Sequence, residues 1–199
     1  MRHPNAVRVI KEVCLNQNPV VIAVIIVGVL VVIAVALLVA RKRRSQKLRE
    51  RFGPEYDRVV KREGDVRRAE GVLAFREKRR EQFTLRPLPP ADRSRYEQTW
   101  RDVQAQFVDD PKGAVTAADS LVTEVMQARG YPMGDFEQRA ADISVDHPAV
   151  VDNYRTAHDI ALRHSRGQAS TEDLRRAMVL YRSLFDELLG DRQLERRGA

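Results

Sequence analysis

The chain of 199 residues contains a single cysteine, Cys14. No disulfide can close within it, which suits a reducing compartment for its main part. Cys14 can pair only between chains or carry an acyl group, and we read it as an incidental thiol. Histidine is also scarce, at His3, His147, His158 and His164. No His-x-x-x-His, His-Glu-x-x-His or Cys-x-x-Cys occurs. His147 and His158 are three helical turns apart, roughly 16 Å, too far to share a metal. Solvated or capping roles are expected for them. Phosphate-cradling glycine loops, a nucleophile elbow and a kinase set are absent too. These absences argue against catalytic, cofactor and metal sites, and a non-enzymatic protein is expected. No segment alternates apolar and polar residues, and no Asn-Gly or Asp-Gly hairpin signal appears. An all-α protein is expected.

What the sequence does hold is one long apolar run. Val20 to Ala40 is twenty-one residues without Asp, Glu, Lys, Arg, His, Asn or Gln. A bilayer core about 30 Å thick needs about 20 such residues in a helix. Lipid offers the backbone no other hydrogen-bond partner, so helix is enforced despite the Val and Ile content. A cleaved signal peptide has a shorter apolar core, about 7–15 residues, so an uncleaved anchor is expected. Gly28 stands alone, and Ala36 with Ala40 forms one small-xxx-small pair, a slight signal for a homodimer. The span carries no ionisable group with which to conduct or sense.

Three cations precede the run, Arg2, Arg8 and Lys11. Eight follow it up to residue 60, including Arg41, Lys42, Arg43, Arg44, Lys47, Arg49 and Arg51. This bias puts the C-terminal side in the cytoplasm and residues 1–19 outside as a short tail. Net charge is +7, made of +2 over residues 1–40, +8 over 41–84 and −3 over 85–199. The basic region thus abuts the bilayer, where anionic headgroups are the nearest polyanion. Lipid contact and topology are its expected roles, and nucleic acid is not an expected partner.

Residues 41–84 read as a basic helical stalk, or a helix docked along something else. Gly53-Pro54 interrupts it, Pro54 suits a first helical turn, and Asp65 suits an N-cap. The apolar stripes, Phe52, Tyr56, Val59 and Val60 and then Val66 to Phe75, are short. Apolar heptads sustained enough for a coiled coil are missing. Leu85 to Pro90, with three prolines, reads as an extended linker.

Beyond it, four segments repeat apolar residues at helical spacing. Tyr96, Trp100, Val103 and Phe107 mark the first. Ala114, Ala118, Leu121, Val122 and Val125 mark the second, which ends at Gly130. A short piece lies around Phe136 to Ala141. The third starts from Asp146 as N-cap with Pro148 in its first turn, and carries Val150, Tyr154, Ala157 and Ala161. The fourth opens on Ser170 and Asp173, a capping-box pair, and presents Leu174, Ala177, Met178, Tyr181, Leu184, Phe185 and Leu188. A four-helix bundle-like domain over 91–190 is expected, with a frayed tail at 191–199. The aromatics sit at core spacing. Asp109-Asp110-Pro111 reads as one helix stopping and the next starting.

One charge pattern stands out. Asp135, Glu137, Asp142, Asp146, Asp152 and Asp159 face only Arg139 and Arg155, a net −4 over 135–159. This acidic face is the candidate interaction surface. It is read first as solvated, with docking onto the basic segment 66–84 as the rival.

The stretches Arg51-Phe-Gly-Pro-Glu-Tyr-Asp-Arg58, Phe107-Val-Asp-Asp-Pro111, Arg129-Gly-Tyr-Pro132, Asp135-Phe-Glu-Gln-Arg-Ala-Ala141, Val145-Asp-His-Pro148, Ser170-Thr-Glu-Asp-Leu174 and Tyr181 to Leu188 carry a resemblance. The chain resembles a family of uncharacterised bacterial membrane proteins with one N-terminal span and a helical domain. The resemblance covers most of residues 45–190. It implies that architecture and no activity, ligand or site. The combined expectation is a single-pass inner-membrane protein presenting a cytoplasmic helical domain to a protein partner. The alternatives are a tethered ligand-binding or enzymatic domain and, less favoured, a nucleic-acid tether using residues 41–84.

Overall fold

The computed structural model of the chain describes residues 19–190. The expected outer tail, with Cys14 and His3, and the expected frayed end at 191–199 lie outside the described residues. Eight α-helices and no strand occur among them: α1 Pro19–Phe52, α2 Pro54–Glu63, α3 Val66–Arg80, α4 Pro90–Asp109, α5 Pro111–Ala128, α6 Phe136–Asp146, α7 Val151–Ser165 and α8 Thr171–Leu189. The chain divides into two compact units, Met1–Gln46 and Lys47–Ala199.

In the first unit α1 exposes its apolar residues on every side. From Ile22 onward it is long and apolar enough to cross a membrane, and none of its most apolar window is buried. A soluble helix would hide one stripe; over residues 22–46 this one hides none.

The second unit holds two apolar clusters. The larger is built by α4, α5, α7 and α8, with Trp100, Tyr154, Tyr181 and Phe185 fully buried. Trp100 stacks on Phe185 with ring centroids 4.7 Å apart. The periodic residues of the sequence form this core, with Phe107, Val150 and Ala161 at its margin.

The smaller cluster comprises Leu48, Phe52, Tyr56, Val59, Ala69, Leu73 and, from α6, Val145. Its apolar stripes are too short to stabilise α2 and α3 as free helices, but they meet each other and α6. The segment 47–80 is therefore part of the folded unit, in keeping with the docked-helix alternative rather than the free stalk. Gly53, with φ 46°, turns the chain from α1 into α2, and Pro54 then begins the helix. Asp65 caps α3 by accepting from the Arg68 N–H, as expected.

The linker expectation at Leu85–Pro90 changes as well. Leu85 and Leu88 are buried in the larger core, and the Arg86 N–H donates to the Arg129 carbonyl at 2.9 Å. The prolines set an extended course that lays leucines onto the bundle. One helix start also differs. Asp146 ends α6, and His147 caps it, donating its N–H to the Ile143 carbonyl at 2.8 Å. Pro148 falls in the following turn, and α7 begins at Val151 without a side-chain cap. The Ser170–Asp173 capping box at α8 is present.

Candidate functional site

The most distinctive chemistry among the described residues is a buried ionic junction around Glu55. Pro54 and Glu55 form the first turn of α2, where a carboxylate suits the helix dipole. Arg76 lies on the inner face of α3, one turn beyond Leu73. Arg155 lies on the inner face of α7, beside Tyr154. The Arg76 Nη1 donates to Glu55 Oε1 at 2.7 Å. The Arg155 Nη1 donates to Oε2 at 2.7 Å and its Nη2 to Oε1 at 3.0 Å. Arg76 also donates to the Ser144 hydroxyl at 2.9 Å, and that hydroxyl donates to the Ala141 carbonyl at 2.7 Å.

The three side chains are 1%, 6% and 8% exposed for Glu55, Arg76 and Arg155. Burial pushes the Glu55 carboxyl up, but Arg155 and then Arg76 outweigh it and hold it below the usual range. Burial likewise lowers Arg76, against the pull of Glu55. One carboxylate is therefore shared by two desolvated cations, a triad of net charge +1, and Arg155 grips it as a fork.

Around this centre the acidic residues of the sequence meet basic residues of α2 and α3. Arg79 Nε donates to Asp142 Oδ1 at 2.8 Å, as does Gln138 Nε2 at 2.9 Å. Arg80 bonds Asp146, which also accepts from the Tyr131 hydroxyl at 3.3 Å. Arg58 pairs with Asp152. Asp142 and Asp146 thus dock onto Arg79 and Arg80 of segment 66–84, so the solvated reading is corrected for these two, whereas the Asp152 pair with Arg58 stays exposed. Asp135 caps α6 by accepting from the Gln138 N–H at 2.8 Å. Glu137 is exposed, and Asp159 pairs with Arg163 one turn on at 3.2 Å.

The candidate headgroup cations divide in two. Arg41, Lys42, Arg43, Arg44 and Lys47 are exposed, with no carboxylate within 4 Å among the described residues. Arg51 instead pairs with Glu77 at 3.2 Å. Arg49 approaches Asp57 at 4.0 Å and covers the Tyr56 ring at 5.0 Å.

The histidines follow local structure. His147 is buried, with Nδ1 3.5 Å from Glu187, and burial holds it below its ordinary value despite Asp146 and Glu187. His158 stacks on Phe136 at 3.6 Å and faces Asp119 at 3.9 Å. Both rings line an open groove of about 580 Å³ along α6 and α7. Three of its charged side chains are engaged, Arg58 with Asp152, Arg155 with Glu55 and Asp159 with Arg163, while Glu137 is exposed. No group of three or more His, Cys, Asp or Glu among the described residues is placed to hold a metal.

Sequence reasoning missed Glu55, Arg76 and Ser144 as a group. Glu55 lies 100 residues from Arg155, and nothing local marks the pair. The one available signal was an acid at the start of a short helix beside an apolar stripe. The arrangement holds elements together and offers no converged acid–base pair with an open face. Fold and site together define an all-α protein with one helix able to cross a membrane and a charge-locked helical unit. No family model, curated protein or solved structure matches the chain. The likeness to bacterial membrane proteins thus stays an expectation.

Proposed function

We propose that the chain is a single-pass protein of the bacterial inner membrane that presents its helical domain to another protein in the cytoplasm. The observation that carries this reading is the apolar stretch of α1, long enough for a bilayer and with none of its most apolar window buried. The unpaired cations Arg41 to Lys47 favour anionic headgroups and an N-terminus outside. The buried ion pairs supply rigidity to a binding platform rather than reactivity. Attachment confines the domain to a surface and raises its local concentration for a partner.

The alternative, a ligand-binding or enzymatic domain, would use the groove over His158, where Arg58, Arg155 and Asp159 are already held in ion pairs within the chain. That disfavours it. A proximity-labelling enzyme fused to the C-terminus in living cells tests the proposal. Reproducible tagging of a small cytoplasmic set supports it. Tagging of proteins beyond the inner membrane refutes the orientation, and a set no different from that of a bare membrane anchor refutes the scaffold role.

A further inference from the structure

The outer face of α3 is not used by the ionic junction. At 3.6 residues per turn, Arg67, Arg68, Gly71, Phe75 and Lys78 fall within about 100° of arc, opposite Ala69, Leu73 and Arg76. All five are exposed, and Phe75 is 65% exposed while the other phenylalanines are buried or half-buried. Arg67, Arg68 and Lys78 have no carboxylate within 4 Å among the described residues. The acids of the same helix are engaged elsewhere. Glu70 accepts from the Tyr56 hydroxyl at 3.0 Å, and Glu77 pairs with Arg51. The face is therefore three uncompensated cations around one aromatic ring.

That combination matches the boundary layer of an anionic membrane. Cations meet phosphates there, and an aromatic ring sits comfortably at headgroup depth. An acidic protein surface would match the charges alone, whereas an anionic lipid layer meets the charges and the aromatic ring together. We propose that the outer face of α3 is an anionic-lipid contact, with Arg67, Arg68 and Lys78 on headgroup phosphates and Phe75 in the headgroup layer. This rests on the reading of α1 as a membrane span and adds a second, reversible attachment in the folded unit.

The test uses the full chain with Cys14→Ser, reconstituted into lipid nanodiscs. A spin label is placed at Phe75→Cys and, as control, at Val108→Cys, an exposed apolar position on α4. Label depth is read from collisions with oxygen and with a water-soluble nickel complex. In discs containing phosphatidylglycerol, the label at 75 should be shielded from nickel, while the label at 108 stays in water. In phosphatidylcholine discs, or in about 1 M salt where the screening length falls to about 3 Å, the label at 75 should return to water. Each cation near such a surface favours contact about fivefold, so the set Arg67→Gln, Arg68→Gln and Lys78→Gln should reduce it roughly a hundredfold. A label at 75 as wet as at 108 in phosphatidylglycerol discs overturns the proposal. So does equal shielding in every lipid and salt, which would mean contact with protein. A chain that fails to co-elute with the discs overturns the span as well, whereas a wet label on a co-eluting chain overturns the α3 contact alone.

Discussion

Removing the Glu55 carboxylate leaves Arg76 and Arg155 buried without their counter-ion. Their side chains are only 6% and 8% exposed, so water cannot replace the lost acceptor without opening the structure. Breaking a buried pair from one side costs about 3–5 kcal/mol. With a urea dependence of about 2 kcal/mol per molar, Glu55→Ala should lower the unfolding midpoint by roughly 1.5–2.5 M. Trp100, the only tryptophan and fully buried, reports the transition by fluorescence in the full chain held in detergent. The sharper comparison replaces all three charges together, Glu55→Met with Arg76→Met and Arg155→Met. Charge-free packing of similar volume often matches or exceeds a buried ion triad, so this variant should recover most of the loss. A midpoint shift equivalent to less than about 1 kcal/mol for Glu55→Ala would refute the reasoning. A triple variant worse than the single one would refute it equally.

Phe52→Ala empties a fully buried site and should cost about 3–5 kcal/mol in the same unfolding assay; a solvated stalk residue would cost under about 0.5 kcal/mol. Gly130 has φ 88°, and a Cβ there would lie 2.7 Å from the Thr84 carbonyl oxygen. Gly130→Ala should destabilise by more than about 1 kcal/mol, read from the urea midpoint. Glu55 has a depressed carboxyl, so its stabilisation is complete above its ordinary value of 4.5 and is lost as pH falls through the lower folded value. Urea midpoints measured along an acid series should therefore decline below about pH 4.5, and decline less in the triple methionine variant.

The helices that build the larger core were legible because each repeats apolar residues over several turns and carries its own punctuation. Ser170 with Asp173, Pro54, Asp65 and Gly130 act locally, and each behaves as its chemistry dictates. The junction was not legible, because its partners are far apart in sequence. In a helix as charged as α3, nothing distinguishes Arg76, which is buried, from Arg67, which is exposed. Only the position of Arg76 one turn after Leu73 hints at the difference. Asp142, Asp146 and Asp152 looked like a free acidic face because a net charge count cannot see that Arg79, Arg80 and Arg58 reach them. Leu85 and Leu88 were hidden by their prolines, which signal an extended chain but not where it runs. Asp146 has the chemistry of an N-cap, yet the preceding turns of α6 claim it first.

The central claim is that residues 47–80 of the basic segment fold into one unit with the bundle. Amide hydrogen exchange of the full chain in nanodiscs tests it directly. The account predicts that the amides of Ala69, Leu73 and Arg76 in α3 open with the same free energy as those of Tyr154 and Tyr181 in the bundle. Exchange of the α3 amides near the rate of an unstructured chain, with the bundle still protected, would contradict it.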